Sequence, residues 1–318
     1  LAKQNTNGRA LEYAFLLSVH ERVSSNQEVI IVESEAFLTA KSSFESLEEN
    51  YQKETLIAAR TGTNVLIKLE PKIIEGSVPL KISIQGDVAG QSGDVRDVLI
   101  SRPNENWEIG VSCKNNHDAV KHPRLSGTNN FGKKWLEVAC TEQYFQEIIP
   151  IFDELRMIKK EYKGKRWSEL ADKNEKYYLP VLQAFIKELN RLNEKHPGEI
   201  PGRLLSYLLG RQDFYKLIVQ RSKKITEIQG FNLRGTLNQK SKSIQPQIKM
   251  TKIKLPTKFY GSHIQDDSEN TAMVPCDEGW SISCRIHNAS RIVENSLKLD
   301  VRLEGLPSSI YIHHESWR

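Results

Sequence analysis

The sequence predicts an α+β chain, a small mixed α/β sheet flanked by helices, and three observations carry that expectation. Near the start, Leu11, Ala14, Phe15 and Val19 recur at helical spacing. Between residues 64 and 114 the apolar period shortens to strand-length runs separated by Gly, Pro and Asn. From about 141 to 229 leucine and isoleucine return at the spacing of packed helices, and past Lys240 short β-like runs resume.

Taken in order, the first element is an amphipathic helix over about 8–25, entered through a cap-like Thr6-Asn7-Gly8. Strands follow at 65–68, 80–84, 94–100 and 107–114, the last two joined as a hairpin by a turn rich in Pro and Asn. The helical region carries breaks at Gly164, near Pro180 and at Pro197-Gly198. Runs at 279–286 and 297–303 read as strands, and no repeat of 20 to 50 residues is visible. The division this suggests is a core with its N-terminal helix at 1–140, a helical region at 141–230, and a basic segment with a β-rich end at 231–318.

Composition narrows the classes. A chain of 318 residues is long enough for about two domains. Its 38% hydrophobic content, with 10 Phe, 10 Tyr and 5 Trp, excludes a largely disordered protein. No apolar run approaches the roughly 18 residues of a membrane-spanning helix, so no membrane partner is expected. Glu12, His20, Glu21 and Arg22 interrupt or bound the N-terminal apolar patch, which does not read as a secretory signal. The four cysteines form no C-x-x-C pair; a zinc knuckle or disulfide scaffold is not expected, and a reducing cytoplasm is.

The net charge of +5 is unevenly placed. Residues 221–258 hold ten basic side chains against the single acid Glu227, which leaves the remainder net acidic. Such a stretch either follows a phosphate backbone or is a solvated linker.

Chemistry concentrates in the hairpin. Alternation puts Trp107, Ile109, Val111 and Cys113 on one face and Glu108, Gly110, Ser112 and Lys114 on the other. Asp97 interrupts an otherwise apolar face between Val95 and Leu99, and a buried carboxylate needs a partner. An acid in one strand and a lysine at the end of its neighbour suit phosphodiester hydrolysis, where a carboxylate holds Mg²⁺ and a cation orients the attacking water. The structural alternatives are an ion pair of Asp97 with Arg96 or another nearby base, and a solvated strand end for Lys114.

The hairpin followed by Asn115-Asn116-His117-Asp118-Ala119-Val120-Lys121-His122-Pro123-Arg124-Leu125-Ser126 resembles the HaeIII-type family of type II restriction endonucleases, within the PD-(D/E)XK nuclease superfamily. Asn7-Gly8-Arg9-Ala10-Leu11-Glu12-Tyr13 and Ser281-Ile282-Ser283-Cys284-Arg285-Ile286-His287-Asn288-Ala289-Ser290 are similar to it too. The resemblance implies a restriction-endonuclease-like core sheet flanked by helices. It also implies Mg²⁺-dependent cleavage of double-stranded DNA at a short palindrome, GGCC for the family's namesake. A cognate DNA methyltransferase would protect host DNA, and the enzyme would act as a homodimer or a monomer. By position, Asp97 matches the first motif acid and Lys114 the motif lysine, while the second acid falls on Ser112, whose neutral hydroxyl cannot replace a metal-binding carboxylate.

Glu108 lies on the right face but roughly 13 Å along the strand from Ser112's neighbourhood. Glu12 is the better substitute, because the helical wheel puts it between Leu16 and Val19 inside the apolar arc; its alternative is a pair with Arg9. Asp94 and Asp118 are further carboxylates within reach of the motif. DNA contacts are expected from His117, Lys121, His122 and Arg124, and from Arg285, His287 and Asn288 in the β-rich end, which would be a recognition region. Against the nuclease stands a non-catalytic sequence-specific DNA-binding protein, for which Ser112 is the best argument. A cytosine methyltransferase suggested by Val274-Pro275-Cys276 lacks a Gly-rich cofactor loop, and a structural RNA-binding protein leaves the polar strand face without a role.

Overall fold

A computed structural model describes residues 2–86, 93–115 and 119–317. The chain divides into two units, one of Leu1–Asp118, Gly210–Ile253 and Ser309–Arg318, the other of Ala119–Leu209 and Lys254–Ser308. The first unit therefore draws on all three of the consecutive stretches expected from sequence. Strand pairing explains this, because the strands that continue its sheet lie beyond residue 210.

With elements numbered along the chain, the first unit holds α1 (Ala2–Val23), β1 (Val29–Val32), α2 (Glu35–Glu45), α3 (Glu49–Leu69), β2 (Leu80–Ile84), β3 (Val98–Arg102) and β4 (Trp107–Asn115). It is completed by β7 (Phe214–Gln220), β8 (Ile225–Phe231) and β13 (Tyr311–Ser316). Among the described residues these strands form one seven-stranded sheet in the order β1-β2-β3-β4-β7-β8-β13. The pairs β1·β2 and β4·β7 are parallel and the others antiparallel. Ala10, Leu11, Ala14, Phe15 and Val19 of α1 are buried in one core with Ile82, Ile100, Ile109, Val111 and Leu217 of the sheet.

The N-terminal helix starts earlier than expected and runs through Thr6-Asn7-Gly8. A glycine inside a helix costs about 1 kcal/mol, which the buried face beginning at Ala10 offsets. The strand expected at 65–68 is instead the last turn of α3. Thr55, Ala58, Ala59, Gly62, Val65, Leu66 and Leu69 are all buried at three- and four-residue spacing, so the short apolar run is one face of a helix. Gly62 lets α3 approach β7, since a Cβ there would lie 2.5 Å from Leu217 Cδ1. The helical region expected to reach 229 ends at Gly210, with φ of +84°, and two central strands follow. Both are buried on both faces, so Phe214 to Val219 shows no alternation to mark it as a strand.

The second unit contains β5 (Ala119–Lys121), β6 (Arg124–Leu125), α4 (Glu142–Glu161), α5 (Leu179–Lys195), α6 (Ile200–Leu209), β9 (His263–Ile264), β10 (Thr271–Pro275), β11 (Ser281–His287) and β12 (Leu297–Gly305). Its antiparallel sheet runs β5-β12-β11-β10-β9, with β6 also paired to β12. Thr141 caps α4, its hydroxyl accepting from Tyr144 N, and buried Glu188 accepts from Thr141 N at 2.6 Å. Gly164 and Gly198 have positive φ and fall between helices, while Pro180 sits in the first turn of α5, where its missing N–H is harmless. The α+β expectation holds in both units. No helix of the described residues is long and apolar enough to cross a membrane.

Candidate active site

Asp97 lies one residue before β3, yet its backbone is already in the sheet. Its N–H donates to Val111 O at 2.9 Å and its carbonyl accepts from Gln85 N at 2.8 Å. That clamp directs the carboxylate along β4. Asp97 Oδ2 accepts from Cys113 N at 2.7 Å, from Ser112 Oγ at 3.2 Å and from Lys114 Nζ at 3.3 Å. All three donors address Oδ2, and Oδ1 accepts none from the described residues, so one oxygen stays available to a cation.

The faces of β4 are as alternation requires. Trp107, Ile109, Val111 and Cys113 belong to the core, whereas Ser112 and Lys114 share the side of the Asp97 carboxylate. Burial alone would push the Lys114 ammonium down, but the Asp97 carboxylate, with Glu12 adding, holds it above its ordinary value. Lys114 is thus a firm cation at neutral pH. Burial, followed by the fields of Asp97 and Glu12, pushes the Cys113 thiol up, which keeps it an inert core group. The field of Glu12 at both residues brings α1 into the site, and Glu12 itself is half-buried.

Of the alternatives for Asp97, the pair with Arg96 does not form, and the nearby base that it meets is Lys114. Arg96 is held by Asp94, with Nη2 to Oδ2 at 2.7 Å, and by Glu108, with Nη1 to Oε1 at 2.8 Å, and it lies over Gly110. Asp94 and Glu108 are therefore committed to a guanidinium. Asp118 and His117 lie outside the described residues. Sequence reasoning missed Lys216, a buried lysine of β7 in parallel register with Ser112. Its signal was a lone cation inside the apolar run Phe214 to Val219.

The other expected contacts belong to the second unit. Lys121 Nζ donates to Tyr207 O at 3.0 Å and stands 3.8 Å from the Tyr207 ring centroid. His122 Nδ1 is 2.7 Å from Asp300 Oδ1, and Arg124 Nη1 is 3.0 Å from Glu294 Oε2. Arg285 Nη2 is 3.5 Å from Asp300 Oδ2. His287 Nδ1 donates to Asn288 O at 2.8 Å, and burial holds its imidazole below the ordinary value, hence neutral at pH 7. Asn288 Oδ1 accepts from Tyr178 OH at 3.0 Å.

The basic stretch 221–258 is not a free linker, because it supplies β8 and its flanks. Arg221 stacks 3.8 Å from the Tyr51 ring centroid and donates to Thr55 Oγ1 at 2.8 Å and to Asn115 Oδ1 at 3.2 Å.

Oxygen donors suit a small hard divalent cation, which commonly takes one or two carboxylates and completes its shell with water and phosphate oxygens. Among the described residues no group of three His, Cys, Asp or Glu side chains could hold a metal ion, and Asp97 and Glu12 are two carboxylates whose charges act on Lys114. That donor set fits.

The family model for HaeIII restriction endonuclease matches residues 8–307. The type II restriction enzyme HaeIII of Haemophilus aegyptius is 41% identical over 315 residues, covering 99% of this chain and 98% of that protein. No solved structure matches. With a mixed α/β architecture consistent with a restriction-endonuclease-like fold, the chain belongs to the HaeIII restriction endonuclease family, whose members are type II site-specific deoxyribonucleases.

Proposed function

We propose that the protein hydrolyses phosphodiester bonds of double-stranded DNA at a short palindrome, GGCC, with Mg²⁺ as cofactor, and that Asp97, Glu12 and Lys114 carry the reaction. The observation that supports this best is the Lys114 ammonium 3.3 Å from Asp97 Oδ2, within the field of Glu12. When bound, Mg²⁺ would supply Lewis-acid charge at the scissile phosphate and a more acidic water. Asp97 Oδ1 and the Glu12 carboxylate would hold it. Lys114, firmly protonated, orients the attacking water and stabilises charge developing on the phosphoryl oxygens; its raised basicity argues against a role as general base. Ser112 contributes a hydrogen bond to Asp97 and no charge.

Cleavage is assigned to the first unit, and DNA contacts are assigned to Lys121, His122, Arg124, Arg285, His287 and Asn288 in the second and to His117, which lies outside the described residues. The protein would meet its palindrome as a homodimer or as a monomer that nicks twice, with a cognate methyltransferase guarding host DNA. Four buried free thiols support a cytoplasmic location.

Digestion of mixed-sequence DNA with and without Mg²⁺, followed by sequencing of the ends, tests this directly. Discrete ends centred on GGCC are expected only with the metal. Lys114→Ala should slow cleavage by about 10²- to 10³-fold and leave DNA binding in Ca²⁺ within a few-fold. Undiminished cleavage would remove Lys114 from the mechanism.

A further inference from the structure

The sheet of the second unit has one buried and one polar face. Ile282, Cys284 and Ile286 of β11 and Leu299, Val301 and Leu303 of β12 are buried. Alternating with them, Ser283, Arg285 and His287 share the opposite face with Asp300, Arg302 and Glu304. Register places Arg285 opposite Asp300 and Ser283 opposite Arg302. Several of these polar groups line a pocket of about 300 Å³. Within it, Ser283 Oγ donates to Glu304 Oε1 at 2.6 Å. Asp300, only 7% exposed, stands between His122 and Arg285.

A surface that only grips phosphate would present cations, and carboxylates among them would repel a polyanion. Here donors and acceptors alternate, which is the pattern that base edges present in the major groove. Guanine offers two acceptors, O6 and N7, matched by a guanidinium fork. Arg285 is 52% exposed and Asp300 holds one edge of its guanidinium, so the planar group is restrained yet accessible.

We propose that this face reads bases, with Arg285 donating to guanine O6 and N7 and the buried Asp300 carboxylate fixing the guanidinium for that contact. The assignment rests on the nuclease reading and names the specificity determinants within it.

The test uses the full chain and the duplex it cuts, with each guanine replaced in turn by 7-deazaguanine and binding measured in Ca²⁺. Wild-type affinity should fall about tenfold at the position read by Arg285. Arg285→Ala should bind the cut sequence about ten- to a hundredfold more weakly, with no further loss at that deaza position. Its affinity for a scrambled duplex should change by less than about threefold, because phosphate contacts are untouched. Equal losses on both duplexes, or undiminished sensitivity to every 7-deaza substitution, would overturn the proposal. Asp300→Asn, kept only if its melting transition matches wild type, should weaken binding of the cut sequence more than of the scrambled duplex; equal losses count against Asp300 as the group that fixes Arg285. Failure of the unaltered chain to cut any DNA with Mg²⁺ would sink the nuclease reading and this one together, whereas retained cleavage with an indifferent Arg285 would sink this one alone.

Discussion

Glu70 shows how much a single buried group can govern. It is fully buried, Tyr215 OH donates to its Oε1 at 2.6 Å and Asn238 N donates to the same oxygen, while Oε2 has no partner among the described residues. Burial pushes its pKa up to about 7 against those hydrogen bonds. The folded state then keeps a proton that the unfolded chain loses near 4.5, so stability is greatest below that value and falls as pH rises toward 7. The loss amounts to about 3 kcal/mol. Glu70→Gln should flatten this dependence, read as melting temperature between pH 4.5 and 7.5; a parallel slope in the variant would dismiss Glu70 as its source. The carboxylates proposed to hold the metal allow a similar discrimination. Glu12→Gln should abolish cleavage, while Ser112→Ala, losing one hydrogen bond worth about 1 kcal/mol, should reduce it by roughly tenfold or less. The opposite ranking would return the missing acid's role to position 112. That Asp97 meets Lys114 and that Glu12 lies on the half-buried side of α1 was legible, because face alternation and a helical wheel need only local spacing. Lys216 was not, since nothing local says that its strand lies beside Ser112.

At the scale of elements, the hairpin that carries the site depends on a missing side chain. Gly110 of β4 lies beneath Arg96, and a Cβ there would overlap Arg96 Cβ, Cγ and Cδ. Those atoms are the stem of a side chain fixed at its far end by Asp94 and Glu108, so it cannot swing aside cheaply. Gly110→Ala should therefore destabilise by about 2 kcal/mol, in the range of overpacked sites, and lower cleavage by displacing the segment that positions Asp97. A melting temperature equal to wild type would show that Arg96 relocates freely. The strands β2, β4, β11 and β12 were readable within a residue or two, because polar or small side chains alternate with apolar ones along each. Helix α3 and the pair β7 and β8 were misread for the converse reason. A four-residue apolar run fits either period, and strands buried on both faces lose the signal that distinguishes them from helix.

On the scale of the whole molecule, the chain leaves its first sheet after β4 and rejoins it about a hundred residues later, where β7 aligns parallel to β4 from Val111↔Tyr215 to Asn115↔Val219. Composition could not disclose this return, because an interleaved unit has no boundary in charge or glycine content. The basic stretch 221–258 illustrates the point: its charge suggested a phosphate-following segment or a solvated linker, yet β8 within it pairs with both β7 and β13. A consequence follows for residues 1–140 expressed alone. They contain α1, α3 and β1 to β4 but lack Tyr215, Leu217, Val219 and Ile228 of the same core, and the edge of β4 that carries Ser112 and Lys114 would have no partner. An exposed apolar edge of that kind pairs indiscriminately or melts. The fragment should show no cooperative thermal transition by circular dichroism and should not bind the DNA that the full chain cuts. A sharp transition from the fragment would mean that the site is supported by local contacts alone, and that the return of the chain at β7 is needed for something other than folding.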